Sequence, residues 1–173
     1  MACPFVLAQA TATPNFLISG DGVKICYEVS GKGRPVILIH GFMNNQDNWK
    51  RAAVYDSLLK NGCQVITLDL RGNGKSDKPH DPKSYSNDAE ARDVMKLADH
   101  LKLKKYFVIG YSRGAIIASR VLVLDNRVMK AVMGGMGLDF TNPEWPRRKM
   151  FYRALNNEDV PELNDLIKRI KDN

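Results

Sequence analysis

Residues 106–114 read Tyr-Phe-Val-Ile-Gly-Tyr-Ser-Arg-Gly, and residues 115–124 continue Ala-Ile-Ile-Ala-Ser-Arg-Val-Leu-Val-Leu. Tyr106 to Gly110 is a short continuous apolar run, the pattern of a strand buried on both faces. Arg113 to Leu124 is apolar almost all round, so it is expected as a buried helix. Between the two lies Gly110-Tyr111-Ser112-Arg113-Gly114, a G-x-S-x-G spacing. Small residues on both flanks let a strand and a helix pack closely. The serine then sits strained and exposed at the strand's C-terminal end, where the helix N-terminus favours developing negative charge. A glycine-rich turn with an incidental serine is the competing reading, and it does not require a buried strand before it and a helix after it.

Working outward, the same alternation repeats. Pro35 to Ile39 is a second continuous apolar run, and His40-Gly41-Phe42 ends it. A helix is expected from Trp49 to Lys60, closed by Asn61-Gly62. Gln64 to Leu70 is another buried strand, followed by a glycine-rich turn from Arg71 to Asp77. Asn87 and Glu90 have capping-box spacing, and Val94, Leu97, Ala98 and Leu101 give the apolar stripe of the helix they would start. Val128 to Met133 is a fourth buried strand. Upstream, Phe16 to Ser19 and Val23 to Val29 flank Asp21-Gly22 as a hairpin. Repeated strand–helix–strand units imply an α/β fold, a mostly parallel sheet with helices on both faces.

After Gly137 the pattern changes. Pro143 and Pro146 introduce one helix and Asp159-Val160-Pro161-Glu162 another, with Leu163, Leu166, Ile167 and Ile170 as an apolar stripe. That stripe is expected to lack a partner surface and to face water. The organisation read from the sequence is a terminus over 1–15, an α/β core over 16–140 and a partial helical segment over 141–173.

The chemistry concentrates at strand ends. Ser112 is the candidate nucleophile. The amide after it, on Arg113, and the amide of Phe42 in the loop after Ile39 are candidate donors of an oxyanion hole. His40 is expected to be a structural histidine at a strand end. Asp69-Leu-Arg-Gly-Asn-Gly-Lys-Ser76 is expected to be architectural, with Asp69 and Arg71 fixing the loop by charge-assisted hydrogen bonds. It has neither the Walker spacing nor G-x-G-x-x-G, so it is not read as a phosphate cradle.

His40-Gly41, the 69–76 segment and Gly110 to Gly114, in this order and on these strands, resemble the α/β-hydrolase superfamily. The resemblance covers roughly residues 16–140, and the helical stretch afterwards looks like the start of a cap. It implies a serine hydrolase acting on a small ester-like substrate, a carboxylic ester or a related acyl or carbon–carbon bond. Relatives with aspartate at the elbow, the haloalkane dehalogenases and epoxide hydrolases, are disfavoured by serine at position 112. The family order is nucleophile, acid, histidine. Asp139 follows the fourth buried strand and is a possible acid, with a loop or helix-cap role as its alternative. His40, His80 and His100 all precede Ser112, so the chain is expected to be the C-terminally incomplete nucleophile half of such a fold, with weak activity or none. Two other readings stay open. One is a non-catalytic binding protein on the same fold. The other is an acyltransferase that shares Ser112.

Composition sets the outer bounds. The net charge of +7 comes from 26 Lys and Arg against 19 Asp and Glu, but the charge is dispersed and no nucleic-acid motif accompanies it. No apolar run reaches the length of a membrane span. Cys3, Cys26 and Cys63 have no metal-ligand or disulfide-framework spacing, and Cys26 and Cys63 are expected as small buried side chains. No cofactor or metal is implied, and oligomeric state is left open. Residues 1–10 read either as the tail of a signal peptide, implying export, or as a plain terminus, leaving the compartment open.

Overall fold

The computed structural model describes residues 14–137, 139, 142–156 and 158–171, without the side chains at 155 and 169–171. Cys3, the expectations for the extreme N-terminus, and the side chain of Ile170 lie outside that description. The chain divides into two compact units, one ending at Gly134 and one beginning at Gly135.

The first unit is built on a six-stranded sheet of order β1-β2-β4-β3-β5-β6. Its strands are β1 (Asn15–Ile18), β2 (Lys24–Ser30), β3 (Arg34–Ile39), β4 (Cys63–Leu68), β5 (Tyr106–Tyr111) and β6 (Val128–Gly134). β1 and β2 form the hairpin expected around Asp21-Gly22; Gly22 has φ 88°, and Ser19 N–H donates to Val23 O at 2.8 Å. β2 runs antiparallel to β4, whereas β4, β3, β5 and β6 are mutually parallel.

Side-chain alternation explains why the parallel strands read as unbroken apolar runs. Ile37, Ile39, Ile66, Leu68, Tyr106 and Val108 face one side. There they meet Ala91, Val94, Leu97 and Ala98 of α3 (Ala89–His100) and Ile117, Ala118 and Val121 of α4 (Arg113–Leu124). Val36, Leu38 and Val65 face the other side, where Tyr55, Leu58 and Leu59 of α2 (Ala53–Lys60) cover them. Around β3, β4 and β5 both faces of the sheet are thus apolar and packed by helices; β6, expected as a fourth buried strand, is instead half-exposed or exposed along its length, with Met129, Val132 and Met133 open.

Three further local expectations need correction. The helix expected over Trp49–Lys60 is two pieces, α1 (Asp47–Lys50) and α2, because Ala52 is extended while Arg51 before it is still helical. The capping box before α3 does not form. Asn87 and Asp88 both have positive φ, the Asp88 carboxylate is held by Arg120, and Glu90 turns to Arg113. Finally, α4 is buried along one face only, and Leu122, Val123 and Leu124 are exposed at its end.

One buried ion pair ties the N-terminal hairpin to this core. Arg71 and Asp93 are both almost fully buried. The guanidinium donates to both Asp93 oxygens, Nε to Oδ2 and Nη2 to Oδ1, at 2.7 Å each. It also reaches Asp21 at 2.6 Å and the Ser84 carbonyl. Ser19 Oγ closes the network on Asp93. The neighbouring carboxylates hold Arg71 firmly protonated despite its burial.

In the second unit, α5 (Pro146–Leu155) starts on a proline, which fits the first helical turn because no N–H is needed there. The short turn Pro161–Leu163 leads into α6 (Asn164–Lys171). The stripe on α6 is not left in water. Leu163 is buried with Ala154 and Val160, and Leu166 and Ile167 pack on them with Met150 and Phe151. No described helix is long and apolar enough to cross a membrane.

Removing Asp93 strands a buried guanidinium that keeps only Asp21 as a charged partner. Breaking a buried pair from one side costs about 3–5 kcal/mol. Asp93→Ala is expected to lower the urea unfolding midpoint accordingly, and a change under about 1 kcal/mol would show that the pair behaves as a surface one.

Candidate active site

Ser112 sits between β5 and α4 with φ 53° and ψ −121°. A non-glycine residue there carries strain of order 1–3 kcal/mol, which persists only where the surroundings impose it. The surroundings here are specific. A Cβ on Gly110 would strike the carbonyl of Gly114, and a Cβ on Gly114 would strike the carbonyl oxygens of Ile39 and His40. Ser112 N–H donates to Gly134 O at 2.8 Å, which pins the elbow to the end of β6, and Ser112 O accepts from Ala115 N–H at 2.9 Å. The side chain is half-buried, and its Oγ has no hydrogen-bond partner among the described residues.

The sheet order places this elbow where the chain reverses its direction of winding. From β3 the chain moves to β4 on one side, then returns to β5 on the other. The carboxyl ends of β3 and β5 therefore lie side by side with their following loops diverging, the position where open α/β sheets bind ligands. The two loops touch. A Cβ on Gly41 would lie 3.3 Å from Ser112 Cβ and 3.3 Å from Tyr111 O, so glycine is what lets the loop after β3 approach the serine. The N–H groups of Phe42 and Arg113 donate to no backbone or side-chain acceptor among the described residues. Two exposed aromatic residues belong to these loops, Tyr111 immediately before the serine and Phe42 immediately after Gly41.

The histidines are engaged elsewhere. His40 is almost fully buried. Leu70 N–H donates to its Nε2 at 3.0 Å, which places the ring proton on Nδ1, and Nδ1 donates to Gly41 O at 2.8 Å. Burial holds its pKa below the ordinary histidine value. His40 is thus the structural histidine expected from the sequence. His80 is exposed, and His100 shares a 2.9 Å hydrogen bond with the Tyr27 hydroxyl. Asp139 is exposed in the second unit, where its carbonyl accepts from Asn142 N–H at 3.0 Å.

A further charged pair adjoins the elbow. Arg113 Nη2 lies 2.8 Å from Glu90 Oε1. The guanidinium fork is not aligned for a hydrogen bond to that oxygen, so charge rather than a directed bond holds the pair. The Arg113 guanidinium carbon also lies 5.9 Å from the centroid of the Phe42 ring. Sequence reading missed Glu90, because its spacing from Asn87 fits a helix cap.

Residues 34–160 match the family model of the alpha/beta hydrolase fold. The chain belongs to the α/β-hydrolase family. It is 33% identical over 125 residues to a non-heme haloperoxidase of Rhodococcus erythropolis, covering 69% of this chain and 43% of that protein. It is 36% identical over 101 residues to epoxide hydrolase 3 of Siraitia grosvenorii, covering 58% of this chain and 31% of that protein. Among solved structures, an epoxide hydrolase from Vigna radiata superposes with a TM-score of 0.66 at 22% identity, covering 73% of this chain and 39% of that one. The chain therefore spans well under half the length of these relatives.

The buried neutral His40 makes stability depend on pH in one direction. Its folded pKa is depressed, so the unfolded chain binds the proton more readily. The contribution is complete above the unfolded value of about 6.5 and is lost as pH falls below it. The urea midpoint is expected to fall between pH 7.5 and pH 5, and the fall is expected to be smaller in His40→Gln. Equal slopes in the two proteins would show that His40 takes no part.

Proposed function

We propose that the protein is a serine hydrolase acting on a small ester-like acyl substrate through Ser112. The observation that carries this reading is the strained Ser112 backbone, held between Gly110 and Gly114 beside two unengaged amides. In the proposed reaction Ser112 Oγ attacks the carbonyl carbon. The N–H groups of Phe42 and Arg113 receive the oxyanion, and donors placed for charge that develops only in the transition state give the largest single contribution. Collapse of the intermediate breaks the ester C–O bond, the leaving alkoxide takes up the proton that Ser112 Oγ gave up and departs as the alcohol, and the acyl-serine left behind is hydrolysed by water to the acid and free serine. Position 112 is serine, so the aspartyl-ester route of elbow-aspartate enzymes is set aside although epoxide hydrolases are among the similar proteins. By its place after β6, Asp139 is the proposed acid, with a loop or helix-cap role as its alternative. No described histidine is hydrogen-bonded to Ser112 Oγ, and serine is a weak nucleophile without a base. The same observation favours a second reading, a binding protein that holds an ester-like ligand at the elbow without turning it over.

A fluorophosphonate probe separates the two. It is expected to add once, slowly, at Ser112, with the adduct located by mass spectrometry and absent from Ser112→Ala. No adduct at saturating probe would favour the binding reading, and an adduct that survives Ser112→Ala would sink the assignment of the nucleophile.

A further inference from the structure

We propose that Glu90 is a positioning residue for the oxyanion-binding amides, acting through Arg113 on Phe42; this rests on the oxyanion-hole reading above. Glu90 stands in the first turn of α3, outside both loops that form the elbow. Its carboxylate is mostly buried, with its side chain 16% exposed. A carboxylate in a first helical turn complements the helix dipole without being buried, and α3 has no side-chain cap for Glu90 to support. The cation that Glu90 holds is the side chain of the residue immediately after the nucleophile.

The arrangement joins the two proposed donors by their side chains. Arg113 carries one amide on its backbone, and its guanidinium sits 2.8 Å from Glu90 Oε1 and 5.9 Å from the Phe42 ring centroid, within cation–π range. Phe42 carries the other amide. Its ring is 42% exposed, so little core packing fixes it. The turn continues through Met43 at φ 57°, and the Phe42 amide has no hydrogen bond of its own among the described residues. The Gly41–Phe42 peptide is restrained on its carbonyl side, where Gly41 O accepts from His40 Nδ1 at 2.8 Å; the ring's seat against Arg113 is the second restraint, on the side that carries the Phe42 residue itself. Glu90 fixes the seat from behind: with its charge present, the guanidinium stays at the elbow; without it, the guanidinium is free to swing into solvent.

The charge on Glu90 is under tension. Burial raises its pKa above the ordinary glutamate value, Arg113 pulls it back, Asp93 one turn along α3 raises it and Arg71 from the glycine-rich turn lowers it. Protonation of Glu90 therefore occurs at a higher pH than for a solvated glutamate, and it releases Arg113.

Two measurements test this on the full chain. The first is the fluorophosphonate rate at Ser112 in wild type and Glu90→Gln, as a function of pH. The rate in Glu90→Gln is expected to be about fivefold lower at pH 8, the size of one partly exposed ion pair and one cation–π contact. The two rates are expected to converge as pH falls through the Glu90 range, because wild type then loses the same charge. Phe42→Leu keeps the amide but removes the ring, and in it the acid-side loss attributable to Glu90 is expected to vanish. The second measurement is the amide and ring resonances of Phe42 by NMR. They are expected to titrate with Glu90 in wild type and to lose that titration in Glu90→Gln. This readout needs no reaction at Ser112, so a chain that is not labelled at all defeats the proposed function while the NMR titration still decides the role of Glu90. Equal rates at every pH, or Phe42 resonances indifferent to Glu90→Gln, would overturn the proposal.

Discussion

The absence of two Cβ atoms, at Gly110 and Gly114, is the constraint on which the rest of the site depends. α4 enters so close to the sheet that the Gly114 backbone lies against the carbonyls of Ile39 and His40. A side chain at either glycine would push the helix off β3 and β5, which are adjacent in the sheet. With the helix seated, one residue must make the whole turn from strand to helix, and Ser112 makes it at φ 53°. The strain is small against total stability, and the Gly134 carbonyl and the buried face of α4 offset it. The strained serine is thus a consequence of tight packing and not a local preference of the residue.

The glycine-rich segment after β4 and the loop after β3 form a single hydrogen-bonded body behind this turn. Asp69 accepts from the Gln46 and Lys75 amides at 2.8 Å each, and its carboxylate occupies the space that a side chain at Gly74 would need. His40 spans Gly41 and Leu70, so it links the end of β3 to the end of β4. Arg71 continues the linkage to α3 and to the N-terminal hairpin. These groups are buried polar side chains with their bonds made, the condition under which burial of polarity specifies a structure instead of weakening it. The sequence motif around Asp69 is architectural in this sense: it holds the loop after β3 at the height of Ser112.

Much of this was legible in the amino-acid sequence, and the reasons differ from residue to residue. β3 and β4 announce themselves because both faces are packed, so in β3 Val36 and Leu38 on one side alternate with Ile37 and Ile39 on the other without a polar interruption. The elbow is legible because its geometry needs small residues at two fixed positions. The Asp21-Gly22 hairpin is legible because the turn needs positive φ. Sequence did not show the strand order that makes β3 and β5 neighbours, because pairing across 70 residues leaves no local mark. Nor did it show Asp93 as the partner of Arg71, or the break between α1 and α2. Glu90 was misread for a definite reason: the capping-box spacing is a local rule, and here two long-range ion pairs, Asp88 with Arg120 and Glu90 with Arg113, override it.

That override changes how the site divides its labour. Charge stabilisation and proton transfer are separable parts of acyl-transfer catalysis, and the first alone leaves a residual acceleration of about 10³–10⁴ over water in triad enzymes stripped of their triad. In this chain the residues proposed for charge stabilisation all lie within the first unit, in the loop after β3, at the start of α4 and on α3. They are restrained by packing that does not involve any histidine acting as a base. The histidine nearest in sequence to the proposed donor Phe42, His40, has both ring nitrogens committed to the backbone. The loop geometry is therefore fixed before any base is considered, and a base could be gained or lost without disturbing it. A carboxylate buried at Glu90 then has a physical rationale: the buried bonds of His40 and Asp69 hold the loop's backbone, but a residue as exposed as Phe42 has little apolar packing to seat its ring, and an anchored cation supplies that seat.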